Sequence, residues 1–537
     1  MTPWSQTYDP LHHVVWSTLV AAVPIVTLLG SIAVLRIRAH YAALLGLAAA
    51  LVVAVGALGM PVSLAMHASA LGAAYGMLPI GWIILNVIFL YQLTSDRGLF
   101  EVLQQSLRRV SGDRRLQLVL VAFCFGSFFE GAAGFGAPVA ITGALLLGLG
   151  FSPLDASGLS LIANTAPVAF GALGTPVVAL AGVTGLPLAS LSSMVGRQLP
   201  FFSVLIPFWL MFAYAGMKRT LAVWPALLVA GVAFAIPQWL ISNYHGPWLV
   251  DVGAAVVSLG AVTLLLRVWH PADVPREPRA AGDSRQELRA WTPWLILSVV
   301  VFLWGLPQVK ALLDGISKPS FAIAGLDNLV FRMPPVVSQP KAESAVFVAN
   351  WLSATGSGIL VAALIAAAVM GYRPRQILRS YGRAFATVKL SLLTIAAMLA
   401  IGFLTRYSGL DAILGLAFAR TGVWYPFFGT MLGWLGVALT GSDTSSNVLF
   451  GSLQRITAQH VGVSPILMAS ANSSGGVMGK MVDMQSIVVA STTTRWYGHE
   501  WEILRFVFIH SLLLVTLVGL LVTLEAYVAP FTGLVVH

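Results

Sequence analysis

The chain has 537 residues, of which 58% are hydrophobic and only 9% are charged, with a mean hydropathy of +0.86. Such a composition cannot present a water-soluble surface, which excludes an ordinary globular protein. The net charge of +10 comes from basic residues in short loops between apolar runs, a pattern typical of membrane proteins rather than of nucleic-acid binding. The composition therefore predicts a polytopic membrane protein with the lipid bilayer, and no nucleic acid, as partner.

The apolar runs are continuous and about 20 residues long, as membrane-spanning α-helices require, whereas outer-membrane strands would alternate with period two. We predict an all-α protein with about 12–14 transmembrane helices. The first run lacks a basic leader region and a cleavage site, so it is predicted to be a retained span. Arg36 and Arg38 follow this run, which favours an external amino terminus.

Two long hydrophilic loops divide the chain. The first, at 270–290, carries several arginines and is predicted to be cytoplasmic, whereas the second, at 309–343, has little charge bias and several prolines and is predicted to be external. These loops define an N-terminal transmembrane half, 1–290, and a C-terminal transmembrane half, 291–537.

The first interrupted block, at about 116–190, contains EGAAGFGAPVA at 130–140 and NTAPVAFGALGTP at 164–176. Its acid, Glu130, lies in a region otherwise apolar enough for the membrane, where insertion of an acid costs about 2.5–3.5 kcal/mol. The glycines and prolines weaken helix continuity, and non-helical backbone at that depth survives only against protein or a water-filled cavity. The block therefore predicts a binding site.

The second interrupted block, at about 440–490, contains TGSDTSSNVLFGS at 440–452 and ANSSGGVMGKMVDMQS at 471–486. Each half thus has a hairpin-like polar segment followed by a broken helix, which indicates an internal repeat of the inverted kind found in secondary transporters. In such proteins the broken helices of both halves meet near the membrane midplane. The repeat predicts a shared transport site there.

Several long motifs resemble the L-lactate permease family: EGAAGFGAPVAITGALLLGLGF, NTAPVAFGALGTP, VGRQLPF, LTGSDTSSN and GGVMGKM. The resemblance covers almost the whole chain and implies a carrier in the bacterial cytoplasmic membrane that imports L-lactate, D-lactate and glycolate with protons. One departure is GKMVDMQS where the family typically reads GKMISPQS, so that Asp483 and Met484 replace Ser-Pro. Asp483 lies three residues from Lys480 and is able to pair with it.

A carrier of lactate must bind an anion, so its site needs a cation or several N–H dipoles. Lys480 is the first candidate, with a structural ion pair to Asp443 or Asp483 as the alternative, and Arg197 is the second, with a snorkelling contact to lipid headgroups as the alternative. Polar groups and glycines that are able to contact the substrate, or else to cap and pack broken helices, are Asn164, Thr165, Gly134, Gly136, Ser442, Thr444, Ser445, Ser446, Asn447, Asn472, Ser473, Ser474 and Gly475.

Proton coupling requires a group that titrates while accessible from each side in turn, and membrane carboxyls suit this role. Asp443 is the first candidate, Glu130 the second, and Asp483 accompanies them, although each carboxyl is also able to serve as a structural ion pair or helix cap. Sodium coupling and an anion channel remain alternatives. The absence of GxSxG, HExxH and Walker A strings disfavours an enzyme, and no cofactor or metal is predicted.

Overall fold

The structure, a computed structural model, describes residues 3–33, 35, 37–99, 101–102, 105, 111–132, 134, 137–271, 284–337, 339–496 and 498–536. Within these residues ten helices are long and apolar enough to cross a membrane, or eleven if one bent pair is a single span, and three shorter apolar helices accompany them. The prediction of an all-α polytopic membrane protein is confirmed. The number of long helices is below the 12–14 expected, and the three shorter apolar helices are His40–Gly56, Pro138–Gly148 and Thr355–Val369. The inverted relation between the halves remains a prediction.

The N-terminal half contains eleven helices in the described residues. They are α1 (Val14–Ala33), α2 (Ala39–Gly56), α3 (Val62–Tyr75), α4 (Trp82–Asp96), α5 (Arg114–Ala132), α6 (Ala137–Gly148), α7 (Pro153–Ala163), α8 (Gly171–Thr184), α9 (Leu188–Ala222), α10 (Trp224–Tyr244) and α11 (Val250–Val268). A π-helical segment, Gly76–Gly81, joins α3 to α4, and a short 3₁₀ turn, Val168–Phe170, precedes α8. The first interrupted block therefore comprises the breaks between α5 and α6 and between α7 and α8.

The C-terminal half repeats this order of breaks. Its helices are α12 (Ser284–Gly305), α13 (Pro307–Ile316), α14 (Thr355–Val369), α15 (Pro374–Ser408), α16 (Leu410–Phe418), α17 (Tyr425–Thr440), α18 (Asp443–Val461), α19 (Pro465–Gly479), α20 (Met484–Thr493) and α21 (Glu500–Tyr527). Short 3₁₀ turns lie at Ala419–Trp424 and Phe531–Leu534. The second interrupted block comprises the breaks between α17 and α18 and between α19 and α20.

The same four-residue turn, GxSP, begins the second helix pair of each block, at 150–153 and at 462–465. Each glycine has a positive φ, +86° at Gly150 and +77° at Gly462, which a residue without Cβ adopts at little cost. Each serine caps the next helix, since Ser152 accepts a hydrogen bond from Asp155 N at 3.1 Å and Ser464 accepts one from Leu467 N at 3.3 Å. A proline then occupies the first helical turn, where its missing N–H is harmless. Identical local chemistry thus produces the same turn in both blocks.

The two blocks pack directly against each other. Helix α8 of the first block lies against α18 of the second, and α20 lies against α6 and α7. Ser452 on α18 donates to Val183 O on α8 at 2.9 Å, and the hydroxyls of Ser157 and Thr494 are 2.8 Å apart. Small residues permit this closeness, as is usual between membrane helices. The interruptions of both halves are therefore held in one central region.

The segment between α12 and α14 is more ordered than the predicted external loop at 309–343, because its described residues form α13 and four short strands. The strands are β2 (Ser320–Ala322), β3 (Val330–Arg332), β4 (Lys341–Glu343) and β5 (Val346–Val348). The amino-terminal strand β1 (Trp4–Ser5) pairs with β3 in parallel, while β3–β4 and β2–β5 pair antiparallel. The amino terminus and this segment therefore lie on the same side of the molecule. Of the predicted cytoplasmic loop, 272–283 lie outside the described residues.

Lys310 on the amphipathic helix α13 places its ammonium 3.7 Å from the centre of the Trp248 ring. Burial lowers the pKa of Lys310 from its ordinary value to about 8, although the nearby Asp314 carboxylate acts in the opposite direction. A cation over an aromatic face is attracted by the ring quadrupole. The contact joins the segment between α12 and α14 to the turn that precedes α11.

Candidate functional site

A cavity of about 270 Å³ lies where the two interrupted blocks meet. Its walls come from the breaks after α5, before α8, between α17 and α18, and between α19 and α20, with one face of α15 closing a further side. The residues that line the cavity include Glu130, Gly134, Gly171, Thr175, Ser391, Thr394, Thr440, Gly441, Ser442, Asp443, Thr444, Ser445, Lys480, Gln485 and Ser486. The predicted convergence of both halves on one cavity is therefore present.

Asp443 occupies the first turn of α18, immediately after the N-cap residue Ser442, and is 3% exposed. Its Oδ2 accepts hydrogen bonds from Ser473 Oγ at 2.5 Å and from Asn447 Nδ2 at 3.3 Å. Its Oδ1 has no hydrogen-bond partner among the described residues. A side chain at Gly476 would overlap this oxygen, so the glycine keeps the space beside it open. Two donors thus fix Oδ2 of the carboxyl, whereas Oδ1 has no donor among the described residues.

Lys480 lies in the break between α19 and α20, where its Nζ donates to Gly441 O at 2.6 Å and lies 3.3 Å from Asp483 Oδ2. Asp483 in turn caps α20, because its Oδ1 accepts from Ser486 N at 2.8 Å. The ion pair that the departure from the family pattern suggested is therefore formed. The lysine still lines the cavity, so its side chain joins both second-block breaks at the cavity wall.

Glu130 reaches the cavity from the end of α5, opposite the second block. Its Oε2 has no hydrogen-bond partner among the described residues. A Cβ at Gly171 would lie 2.5 Å from Glu130 Oε1, so only glycine leaves room for the carboxyl. Gly134, with φ +59°, also lines the cavity, whereas the predicted site residue Gly136 lies outside the described residues.

Several predicted substrate contacts are buried behind the cavity wall rather than on it. Asn164 and Thr165 are buried at the end of α7, where the Thr165 hydroxyl donates to Ile162 O at 2.8 Å. The others, on α18 and α19, are Ser446, Asn447, Asn472, Ser473, Ser474 and Gly475. The side chains of Ser446, Asn447, Asn472 and Ser473 bond to one another or to Asp443. Ser474 donates to Gln198 Oε1, and Gly475 packs against Thr430. In this conformation these residues support the wall of the cavity.

Arg197 is not at the cavity. Its Nε donates to Asn243 Oδ1 at 3.1 Å and its Nη1 donates to Leu534 O at 2.9 Å, which ties α9 to α10 and to the carboxyl-terminal segment. The predicted role as a substrate cation is therefore not supported by this geometry. The lipid-headgroup alternative stays a prediction, since Arg197 is only partly buried.

The cavity also contains polar groups that sequence reasoning missed. Thr175, Gln485 and Ser486 stand inside or beside motifs that were recognised, whereas Ser391 and Thr394 lie three residues apart on one face of the apolar helix α15. That spacing on a helix is the only signal that was available for them. A further acid, Asp251, is 1% exposed at the start of α11, packed against Gly131 beside Glu130, and neither of its oxygens has a hydrogen-bond partner among the described residues.

A polar cavity enclosed by interrupted helices from two halves of an apolar bundle is the arrangement of a membrane transporter. The family model for L-lactate permease matches residues 17–529, and the chain belongs to that family. It is 45% identical to the glycolate permease GlcA of Escherichia coli K12 over all of both chains. It is 44% identical to the L-lactate permease of the same strain, over 98% of this chain and 99% of the relative. The crystal structure of the Alcanivorax borkumensis YdaH transporter matches 85% of this chain and 87% of its own, with a TM-score of 0.47 and 14% identity.

Proposed function

We propose that this protein imports L-lactate and related short 2-hydroxy monocarboxylates, including D-lactate and glycolate, by proton symport with alternating access. The membrane is the bacterial cytoplasmic membrane, with the amino terminus outside. Relatives over the full length are named for lactate and for glycolate, which supports this substrate class. The cavity between the two interrupted blocks is the proposed substrate site.

The balance of charge at the cavity is the observation that carries the proposal of proton coupling. Glu130 and Asp443 line the cavity together with Lys480, the one ammonium among the described lining residues, which is already paired with Asp483. If all three carboxyls were ionised, the site would repel a carboxylate, and like charges interact strongly where water is scarce. A monoanion is therefore accommodated only after protons neutralise carboxyl groups. This requirement links the binding of protons to the binding of substrate.

The same cavity offers the groups that a 2-hydroxy acid needs. Lys480 provides a cation for the carboxylate, and α18 begins at the cavity, so that the partial positive charge of its N-terminus faces the substrate. The hydroxyls of Ser442, Thr444 and Ser445 are available to the 2-hydroxyl and to the second carboxylate oxygen. Both ends of a short hydroxy acid thus find partners of suitable chemistry.

Alternating access is supported by the helix breaks themselves. The pair formed by α7 and the helical segment Val168–Thr184 is bent by 63°, and residues 172–174, inside the second segment, have positive φ, although two of them carry side chains. Left-handed backbone at such residues costs on the order of 1–3 kcal/mol each and persists only when the surroundings enforce it. Short half-helices joined by such turns can reorient without unfolding a whole span.

The test is uptake of labelled lactate and glycolate into proteoliposomes that contain the purified protein. An inside-alkaline pH gradient in sodium-free buffer is expected to drive accumulation of both acids. A sodium gradient at equal pH is expected to be without effect. Uptake that requires sodium and ignores the pH gradient would replace proton symport by sodium symport.

Variants that fix the carboxyls in a neutral form separate coupling from binding. Asp443→Asn and Glu130→Gln are expected to retain exchange of internal for external lactate while losing accumulation driven by the pH gradient. Gln238→Leu, at a buried amide remote from the cavity lining, is the control and should accumulate lactate normally if it folds. Rapid leak of lactate without counterflow in the wild type would instead indicate a channel.

A further inference from the structure

A chain of four hydrogen bonds between buried side chains ends on the carboxyl of Asp443. Tyr425 OH donates to Gln454 Oε1 at 2.6 Å, and Gln454 Nε2 donates to Asn472 Oδ1 at 3.1 Å. Asn472 Nδ2 donates to Asn447 Oδ1 at 3.0 Å, and Asn447 Nδ2 donates to Asp443 Oδ2 at 3.3 Å. The chain joins α17, α18 and α19 inside the wall of the cavity.

The direction of this chain is fixed by two backbone carbonyls, which can only accept. Gln454 Nε2 donates to Gly429 O at 2.6 Å, so the nitrogen of this amide must face that carbonyl and its oxygen must face Tyr425. Asn447 Nδ2 likewise donates to Pro176 O at 3.2 Å. If either amide were reversed, two oxygens would face each other between fully buried side chains. Every bond therefore points toward Asp443.

We infer that this chain makes Oδ2 of Asp443 a permanent acceptor, so that the transported proton is carried on Oδ1, and that Asn447 links this protonation to helix α8. The inference rests on the proposed proton coupling and assigns it to an atom. Ser473 Oγ also donates to Oδ2, at 2.5 Å, which leaves this oxygen surrounded by donors. Oδ1 has no partner among the described residues, belongs to a residue that lines the cavity, and lies beside Gly476.

The link to α8 follows from a competition at Asn447. Its amide nitrogen carries two hydrogens but lies within hydrogen-bonding distance of three acceptors: Asp443 Oδ2, Ser473 Oγ at 3.2 Å and Pro176 O. An ionised carboxylate attracts these hydrogens more strongly than a neutral carboxyl does. When Oδ1 takes up one proton from the cavity, Asn447 is released toward Pro176 O, next to the turn at 172–174. Protonation of Asp443 in the second block thereby changes the hydrogen bond that Asn447 makes to Pro176 O in the first block.

Charged groups on other elements also face Asp443 and set the background for its titration. They are Lys480 and Asp483 around the break between α19 and α20, and Glu130 on α5. These groups act through the cavity, whereas Asn447 acts through a direct hydrogen bond. A structural role for the chain, which would only satisfy buried polar groups, makes a different prediction from a role in proton binding. A direct titration distinguishes the two roles.

The experiment is infrared difference spectroscopy of the purified protein as a function of pH, without substrate. The carboxyl C=O band that disappears in Asp443→Asn reports protonation of this residue. Asn447→Ala removes a donor to the charged form, which favours the neutral form, so the pH at which half of the band is present is expected to rise by about one unit. Ser473→Ala removes the second donor to Oδ2 with a smaller change in side-chain size, and it is also expected to raise the midpoint pH of the band.

The matched control is Asn86→Ala, since Asn86 is a fully buried asparagine that donates to the backbone carbonyls of Trp82 and Gly356, away from the cavity lining. It is expected to lower thermal stability without moving the band midpoint. Unchanged midpoints in both folded Asn447→Ala and Ser473→Ala would overturn the inference, as would an equal rise in Asn86→Ala. Because no transport is measured, this result is independent of the identity of the substrate and of the uptake test.

Discussion

Replacing Lys480 by methionine tests whether the buried ion pair with Asp483 serves the fold or the substrate. The lysine is 8% exposed, the aspartate is 1% exposed, and their charged atoms are 3.3 Å apart. At an effective dielectric constant of about 20, this separation corresponds to an attraction of about 5 kcal/mol. Lys480→Met alone leaves a buried, unpaired carboxylate and is expected to cost about 3–5 kcal/mol of unfolding free energy. Lys480→Met combined with Asp483→Asn removes both charges and should recover most of that loss.

The assay compares thermal unfolding and calorimetric lactate binding for the wild type, both single variants and the double variant. The double variant is expected to unfold near the wild type but to bind lactate at least tenfold more weakly, because the carboxylate has lost its cation. Lys480→Arg should fold and yet transport poorly, since its planar fork displaces the bound carboxylate. A stable double variant that binds lactate with unchanged affinity would show that the pair is purely structural.

Three further outcomes are expected. Lys310 has a pKa of about 8 in the folded protein and an ordinary value of 10.5, so the folded state loses its proton at lower pH than the unfolded state does. The melting temperature of the wild type should therefore rise between these two pH values, whereas that of Lys310→Met should not. Gly433→Ala, whose Cβ would overlap the backbone of α19, should lower the free energy of unfolding by about 1–3 kcal/mol. Gly260→Ala, whose Cβ would face open space, should have the melting temperature of the wild type, and equal melting temperatures of the two variants would contradict the packing. Arg197→Gln should lower the melting temperature and leave the KM for lactate uptake unchanged, and a tenfold higher KM would return this arginine to the site.

The interrupted blocks could be predicted from the sequence because their signals are local. A carboxyl such as Glu130 or Asp443, placed among glycines in an apolar run, violates the ordinary pattern of a membrane helix within a few residues. The same holds for Lys480. Because each exception requires a polar surrounding, the existence of a cavity follows from the composition of the run itself.

The remaining features depend on which helices become neighbours, and a single sequence does not state this. Ser391 and Thr394 lie on an uninterrupted apolar helix, so nothing local separates them from hydroxyls that bond back to their own helix. Asp251 begins a span, where an acid is an ordinary helix-terminal residue. Asn447 was predicted to contact substrate, but only the positions of Pro176 and Asp443 show what its amide binds.

The pairing of the amino-terminal strand imposes an order on biosynthesis. Trp4 and Ser5 leave the ribosome long before their strand partner at Val330–Arg332, and the carbonyl that Gln6 Nε2 binds on Arg406 belongs to a residue 400 positions later. Strand β1 must therefore wait, unpaired, until most of the second half has been inserted in the membrane. Closure of this small sheet is a late event, and an antibody or protease that recognises the free amino-terminal strand would report chains whose second half has not yet been assembled.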